Sequence, residues 1–423
     1  MPTTAHNIEL PCEQALAAWP PGLPLVALWS GDSHPASRWT LLGRPSHVRE
    51  VPADQLDQLP AHTHAPKPGA GWVACLSYEL GCLLEPAAGR PRGSWPLLTL
   101  ARCEDAWLHD GLTGTWSPVG NPPRLDPPGH PRAWHVGSLT SELGEAGYTR
   151  RVARAVEYIH AGDVYQVNLA HRLHAPFTGS ARAFFREWAA QSRAWYGAYM
   201  EWDSSPSTRR AVLSASPELF LSLNPATRRL VTRPMKGTRP AGRAVGELEH
   251  SAKDRAELAM IVDLMRNDLG RVCDLGSIRV DQPRAIESHT GLGVLQATAT
   301  VSGTLAPGRS WWDAIRATFP GGSVTGAPKV RAMQIIQELE PSPRGPYCGC
   351  IGFIGDDGSF QFNIAIRTAV MEGTPDPATL DGFTSASIAY NVGAGIVADS
   401  SPAAEWQETL DKANAFVRAA THA

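Results

Sequence analysis

The sequence predicts an α+β fold, because helix-like and strand-like periodicities are interspersed without a regular βαβ spacing, and no internal repeat is present. Tyr148, Val152, Ala155/Val156 and Ile159 recur at helical spacing, and Gly162 ends that run. A strand follows over residues 164–170, with Tyr165, Val167 and Leu169 on one face and Gln166 and Asn168 on the other. A second helix fits residues 254–269, its apolar stripe carried by Leu258, Ile261/Val262 and Met265. A third begins with Ser401 as N-cap and Pro402 in the first turn, turning Trp406, Leu410, Ala413 and Val417 inward. Strand-like runs occupy 292–301 and 360–371, and the proline-rich segment 121–129 reads as a loop or linker.

Composition narrows the function classes. The chain has 423 residues, with 38 Lys+Arg against 41 Asp+Glu for a formal net charge of -3, and no basic tract of the kind that binds nucleic acid. No segment has the apolar length of a membrane span and the first residues do not read as a secretory leader, so a cytoplasmic protein handling a small molecule is expected. The seven cysteines are scattered and odd in number; reduced thiols with no metal or redox role are expected, including Cys348 and Cys350, whose spacing is too tight for a CxxC pair.

Four constellations bear on chemistry. Asp254/Glu257 and Glu405/Glu408 each stand three residues apart, placing each pair on nearly one helix face; carboxylates converging from two helices suit a hard cation such as Mg²⁺, while acidic residues in a first helical turn also serve the helix dipole. The glycine-rich segment from Phe319 to Lys329 opens a helix whose Val330, Met333 and Ile336 point inward; its free N–H groups suit an anion, but Ala327 and Pro328 stand where a nucleotide-binding P-loop needs Lys-Ser/Thr. Gly393 and Gly395 offer close backbone approach in a turn ahead of the last helix. Lys236, restrained between Pro234-Met235 and Gly237, is a nucleophile if desolvated, and Glu218 in Ser216-Pro217-Glu218 is a general acid if buried near substrate.

Taken together, Ala161 through Leu169, Ser216-Pro217-Glu218, Ile261 through Asp268, Thr325-Gly326-Ala327-Pro328-Lys329, Ile366-Arg367-Thr368 and Gly395 through Ser400 resemble the chorismate-utilising enzyme family from about Tyr148 to the end. A looser likeness covers Ser30-Gly31, Ser37-Arg38 and the stretch from Gly71 to Gly81. The chain thus divides into an N-terminal region, 1–135, and a chorismate-binding catalytic region, 148–423. The resemblance implies two large antiparallel β-sheets packed as a sandwich with helices outside. It implies Mg²⁺ bridging Glu257, Glu408 and a substrate carboxylate, with Glu405 and Asp254 nearby. Gln166, Thr325, Lys329, Arg367, Gly393 and Gly395 would hold chorismate, and Glu218 would protonate the departing C4 hydroxyl. Such an arrangement fits a dianionic substrate, which calls for a cation, a guanidinium and backbone donors.

Two positions choose among the family's reactions. Water-adding members carry a lysine base where Gln166 stands, and a neutral amide takes no proton from water. Lys236 occurs in the pattern of members that aminate chorismate at C4, which implies 4-amino-4-deoxychorismate, a precursor of p-aminobenzoate and folate, as product. The anthranilate-forming reaction is the alternative, and a non-catalytic chorismate-binding subunit a second. With no glutaminase-like cysteine elbow in this sequence, a separate glutamine amidotransferase subunit is the implied ammonia source. Gln296 stands where the family has histidine and Phe353 where tyrosine is common.

Overall fold

The computed structural model describes residues 10–32, 34–59, 69–126, 132–240, 248–289 and 294–421. The architecture is α+β, with antiparallel strand pairing throughout. One run of strands passes from Trp39–Glu50 through Val26–Trp29, Tyr196–Ser205, Thr208–Ser216, Thr368–Pro375 and Gly382–Ile396 to Gln166–Ser180. The other passes from Gly71–Leu76 through Cys350–Gly355, Phe360–Asn363, Leu219–Asn224 and Arg229–Arg233 to Val294–Thr304, which also pairs with Met235–Pro240 and Arg279–His289. The strand Leu98–Asp110 joins them, with Trp39–Glu50 on one edge and Gly71–Leu76 on the other. The two expected sheets are therefore one continuous hydrogen-bonded network.

Small and β-branched side chains from both runs and the joining strand, among them Val26, Ala101, Ala198 and Ile351, share one core layer. Helices Ala181–Ser192 and Pro402–Thr421 bury Phe184, Trp188 and Phe416 against the first run, where Phe416 stacks on Tyr390 at 4.2 Å. Helices Gly144–His160, Ala252–Gly270, Trp311–Thr318 and Lys329–Leu339 contribute Tyr148, Leu258, Ile315 and Ile336 to the core of the second.

Gly162 ends its helix at φ +85°, and Ser251 caps the 252–270 helix by accepting from the Asp254 amide at 3.2 Å. Several expectations are corrected. The strand from Gln166 is fifteen residues long and buried on both faces at its start, because helices and a neighbouring loop cover it; Tyr165, just outside, is 75 % exposed and not inward with Val167. The run 360–371 is two strands, separated where Arg367 takes φ +49°. Gly393 and Gly395 lie within the long strand Gly382–Ile396, not in a turn, since they pair with Ala170 and Asn168. In the last helix the inward face is rotated: Glu405, Thr409, Ala413 and Phe416 are buried, while Leu410 and Val417 are half-buried. Part of the 121–129 and 292–301 segments lies outside the described residues.

Candidate active site

The site forms where the 382–396 and 166–180 strands meet the 235–240 strand and the loop before the 329–339 helix. Asn168 and Tyr165 amides donate to the Thr325 and Ala327 carbonyls at 2.8 and 2.7 Å, drawing the glycine-rich loop onto the strand. Gly326 permits this approach, at φ +148°: a Cβ there would lie 2.1 Å from the Gln166 carbonyl. Thr325 is buried, and its hydroxyl donates to the Gly321 carbonyl at 3.0 Å.

Lys236, Gln166 and Gly395 come together. A Cβ on Gly395 would meet Lys236 Nζ at 2.7 Å and Gln166 Nε2 at 3.3 Å, so the glycine makes room for both side chains. Gln166 is wholly buried, and neither its amide nitrogen nor its carbonyl oxygen has a hydrogen-bond partner among the described residues. An unsatisfied buried amide costs about 1–3 kcal/mol, which points to a polar occupant beside it. Lys236 is only 15 % exposed and its Nζ lies 3.3 Å from Glu257 Oε2.

Glu218 is 4 % exposed, and Ser323 Oγ donates to its Oε1 at 2.7 Å. Burial pushes its carboxyl up to about 7, opposed by the Ser323 hydrogen bond and the Lys236 charge. It is thus the buried carboxyl that a general acid near neutral pH requires. Ser323, not singled out in the sequence, is recognisable only once the loop is folded against Glu218.

Arg367 Nη1 has no hydrogen-bond partner among the described residues, and burial lowers the guanidinium's affinity for its proton. A buried guanidinium edge left open suits an anion. Lys329 is placed differently from a simple anion ligand: its Nζ donates to Asp268 Oδ2 and the Thr318 carbonyl, both at 2.7 Å. Gly393 accepts from Lys412 Nζ at 2.9 Å, and Lys412 also pairs with Glu408 at 2.7 Å.

The four metal candidates do not form one cluster; among the described residues no three His, Cys, Asp or Glu side chains group around a metal position. Asp254 is buried at the first turn of its helix, its carboxylate close to the Gly237 backbone. Glu405 is buried and accepts from Ser400 Oγ at 2.7 Å, whereas Glu408 is 51 % exposed, so that pair does not share one environment. The donor set still fits Mg²⁺ in kind, since one or two carboxylates plus substrate and water are what that ion takes. Gln296 is buried opposite Thr238 and Glu287 in the strand register, and Phe353 is half-buried opposite Val73 and Gln361. All seven cysteines are free thiols, and burial raises each of them.

A family model for chorismate binding enzymes matches residues 27–418, and the chain belongs to that family. Its relatives carry two different names. It is 43% identical to anthranilate synthase component 1 of Streptomyces coelicolor over 291 residues, 67% of this chain and 53% of that protein. It is 38% identical to aminodeoxychorismate synthase component 1 of Salmonella typhimurium over 405 residues, 88% of this chain and 82% of that protein. The chain spans little more than half the length of the first curated relatives it matches. The crystal structure of anthranilate synthase component I from Streptococcus pneumoniae superposes with a TM-score of 0.74 at 25% identity, covering 90% of this chain and 92% of that one. Among the described residues no helix is long and apolar enough to cross a membrane.

Proposed function

We propose that this chain is the chorismate-aminating component of an aminodeoxychorismate synthase, acting in the cytoplasm and receiving ammonia from a glutamine amidotransferase partner. The observation that carries the reading is the placement of Lys236 Nζ beside Gln166 and Gly395, with its charge felt by the buried Glu218. The name component 1 of its relatives accords with a partner subunit.

In this reading the Lys236 ammonium first gives up a proton, which it takes back at the end of the cycle, and the amine so formed attacks C2 of chorismate. The two ring double bonds shift, the C4–O bond breaks, and the leaving hydroxyl takes the Glu218 proton and departs as water. Ammonia then forms the C4–N bond, the double bonds shift back, and the Lys236 amine leaves C2. The sum is chorismate plus ammonia giving 4-amino-4-deoxychorismate plus water, with Glu218 regaining a proton. Gln166 and Thr325 orient the substrate, Gly393 and Gly395 let it approach the backbone, and Arg367 takes a carboxylate. Lys329 braces the loop through Asp268 and adds positive potential. Glu257 and Glu408, with Glu405 and Asp254 nearby, would hold Mg²⁺, which would neutralise a substrate carboxylate when bound.

The anthranilate-forming reaction is the second reading, favoured by the Streptomyces relative. Incubation of the chain with chorismate, ammonia and Mg²⁺, followed by mass identification of the product, separates them. Retention of the enolpyruvyl group supports amination at C4, pyruvate release with anthranilate supports the alternative, and binding without turnover at saturating ammonia supports a non-catalytic subunit.

A further inference from the structure

The inner face of the 279–289 and 294–304 hairpin carries a buried histidine that no step above employs. His289 is 1 % exposed, and neither ring nitrogen has a hydrogen-bond partner among the described residues. An imidazole always carries at least one N–H, so an unused buried donor is costly unless something occupies the space it faces. Its ring packs against Trp195 at 4.3 Å with the planes tilted by 39°, and Trp195 in turn stacks on His34 at 4.1 Å and donates from Nε1 to Asp32 at 3.3 Å.

Cationic groups act on it, with the Glu287 carboxylate paired to one of them. Arg367, Arg233 and His34 all act, after burial itself, to keep the imidazole neutral. Arg233 is already engaged by Glu287 and Thr300, but Arg367 Nη1 remains open. A buried open guanidinium edge whose charge reaches a buried, unpartnered imidazole N–H suits an anion held by both.

We propose that His289 is a substrate-binding residue, donating a second hydrogen bond to the carboxylate that Arg367 takes, an inference that rests on chorismate being the ligand. The contact with Trp195, itself stacked on His34, holds the donor in place before substrate arrives, which lowers the ordering cost of binding.

Calorimetric titration of the full chain with chorismate and Mg²⁺ tests this, using wild type, His289→Leu, His289→Gln and, as reference, Arg367→Gln. A charge-assisted hydrogen bond makes His289→Leu bind roughly tenfold more weakly or worse, with KM rising more than kcat falls. His289→Gln, which keeps an N–H, restores most of the affinity. Unchanged affinity in His289→Leu, or a loss that His289→Gln does not restore, overturns the assignment. Failure of wild type to bind chorismate overturns the functional reading itself and is distinguishable from both.

Discussion

Lys236 Nζ and Glu257 Oε2 lie 3.3 Å apart, tying the proposed nucleophile to a proposed metal ligand across two elements, the 235–240 strand and the 252–270 helix. The pair neutralises a half-buried ammonium next to a site built for anions. Replacing Lys236 by Ala removes the nucleophile and uncovers the Glu257 carboxylate at once. Amination is expected to fall about 10³-fold or more, as when a covalent nucleophile is deleted. Mg²⁺ and chorismate binding, measured by calorimetry, should persist, with Mg²⁺ affinity equal or higher. Unchanged turnover would remove Lys236 from the chemistry.

Glu218 gives the pH dependence. Its carboxyl, pushed up to about 7, is protonated below that value, so kcat/KM is expected to hold on the acid side and decline as pH rises through about 7. The Ser323 hydrogen bond favours the carboxylate, so Ser323→Ala should move that limb to higher pH. Glu218→Gln should abolish the limb and cost about 10²–10⁴-fold in rate. A limb that stays in place in Ser323→Ala would show that another group titrates.

Two glycines test room against backbone strain. Gly395→Ala brings a methyl against the movable ends of Lys236 and Gln166, so the fold should keep its melting temperature while turnover collapses. Gly326→Ala meets the fixed Gln166 carbonyl at 2.1 Å in a conformation favouring glycine, so thermal unfolding should shift down clearly. Equal effects of the two on stability would count against the cramped geometry at Gln166.

Lys329 distinguishes bracing from binding. Lys329→Met strands the buried Asp268 carboxylate, and loss of one partner of a buried pair costs about 3–5 kcal/mol, here reduced by partial exposure of the lysine. Denaturant unfolding should register that loss, and Asp268→Asn in the same background should recover part of it. A large rise in KM with undiminished stability would instead assign Lys329 to the substrate.

How much of this the sequence discloses depends on the range of the signal. The 144–160 and 252–270 helices are legible because their apolar residues repeat locally, and the glycine-rich loop because Gly and Pro punctuate it. Rotation of the last helix is not, since Phe416 is drawn inward by Tyr390, a residue of another element. Gly393 and Gly395 read as a turn but sit in a strand, because their cross-strand partners Ala170 and Asn168 are more than 200 positions away. For the site, residue types at motif positions suffice to nominate Lys236, Glu218 and Gln166. Ser323 and His289 carry no local pattern and emerge only from the folded contacts. The differing surroundings of Glu405 and Glu408 are likewise not legible locally: three residues along a helix places side chains near each other, yet Glu405 is buried and accepts from Ser400 while Glu408 meets solvent.

The strand pairing has a consequence for how the chain comes to be folded. Val26–Trp29 pairs with Tyr196–Ser205, and Gly71–Leu76 with Cys350–Gly355, so early strands have partners some 170 to 280 residues downstream. Such pairings close slowly, because the intervening chain must first be confined. During synthesis the apolar Val-Ala-Leu-Trp and Gly-Trp-Val-Ala-Cys-Leu segments meet one early partner each, Trp39–Glu50 and Leu98–Asp110, but their other edges stay open until the distant strands leave the ribosome. The nascent chain is therefore a natural client for chaperones, and N-terminal fragments made alone should aggregate.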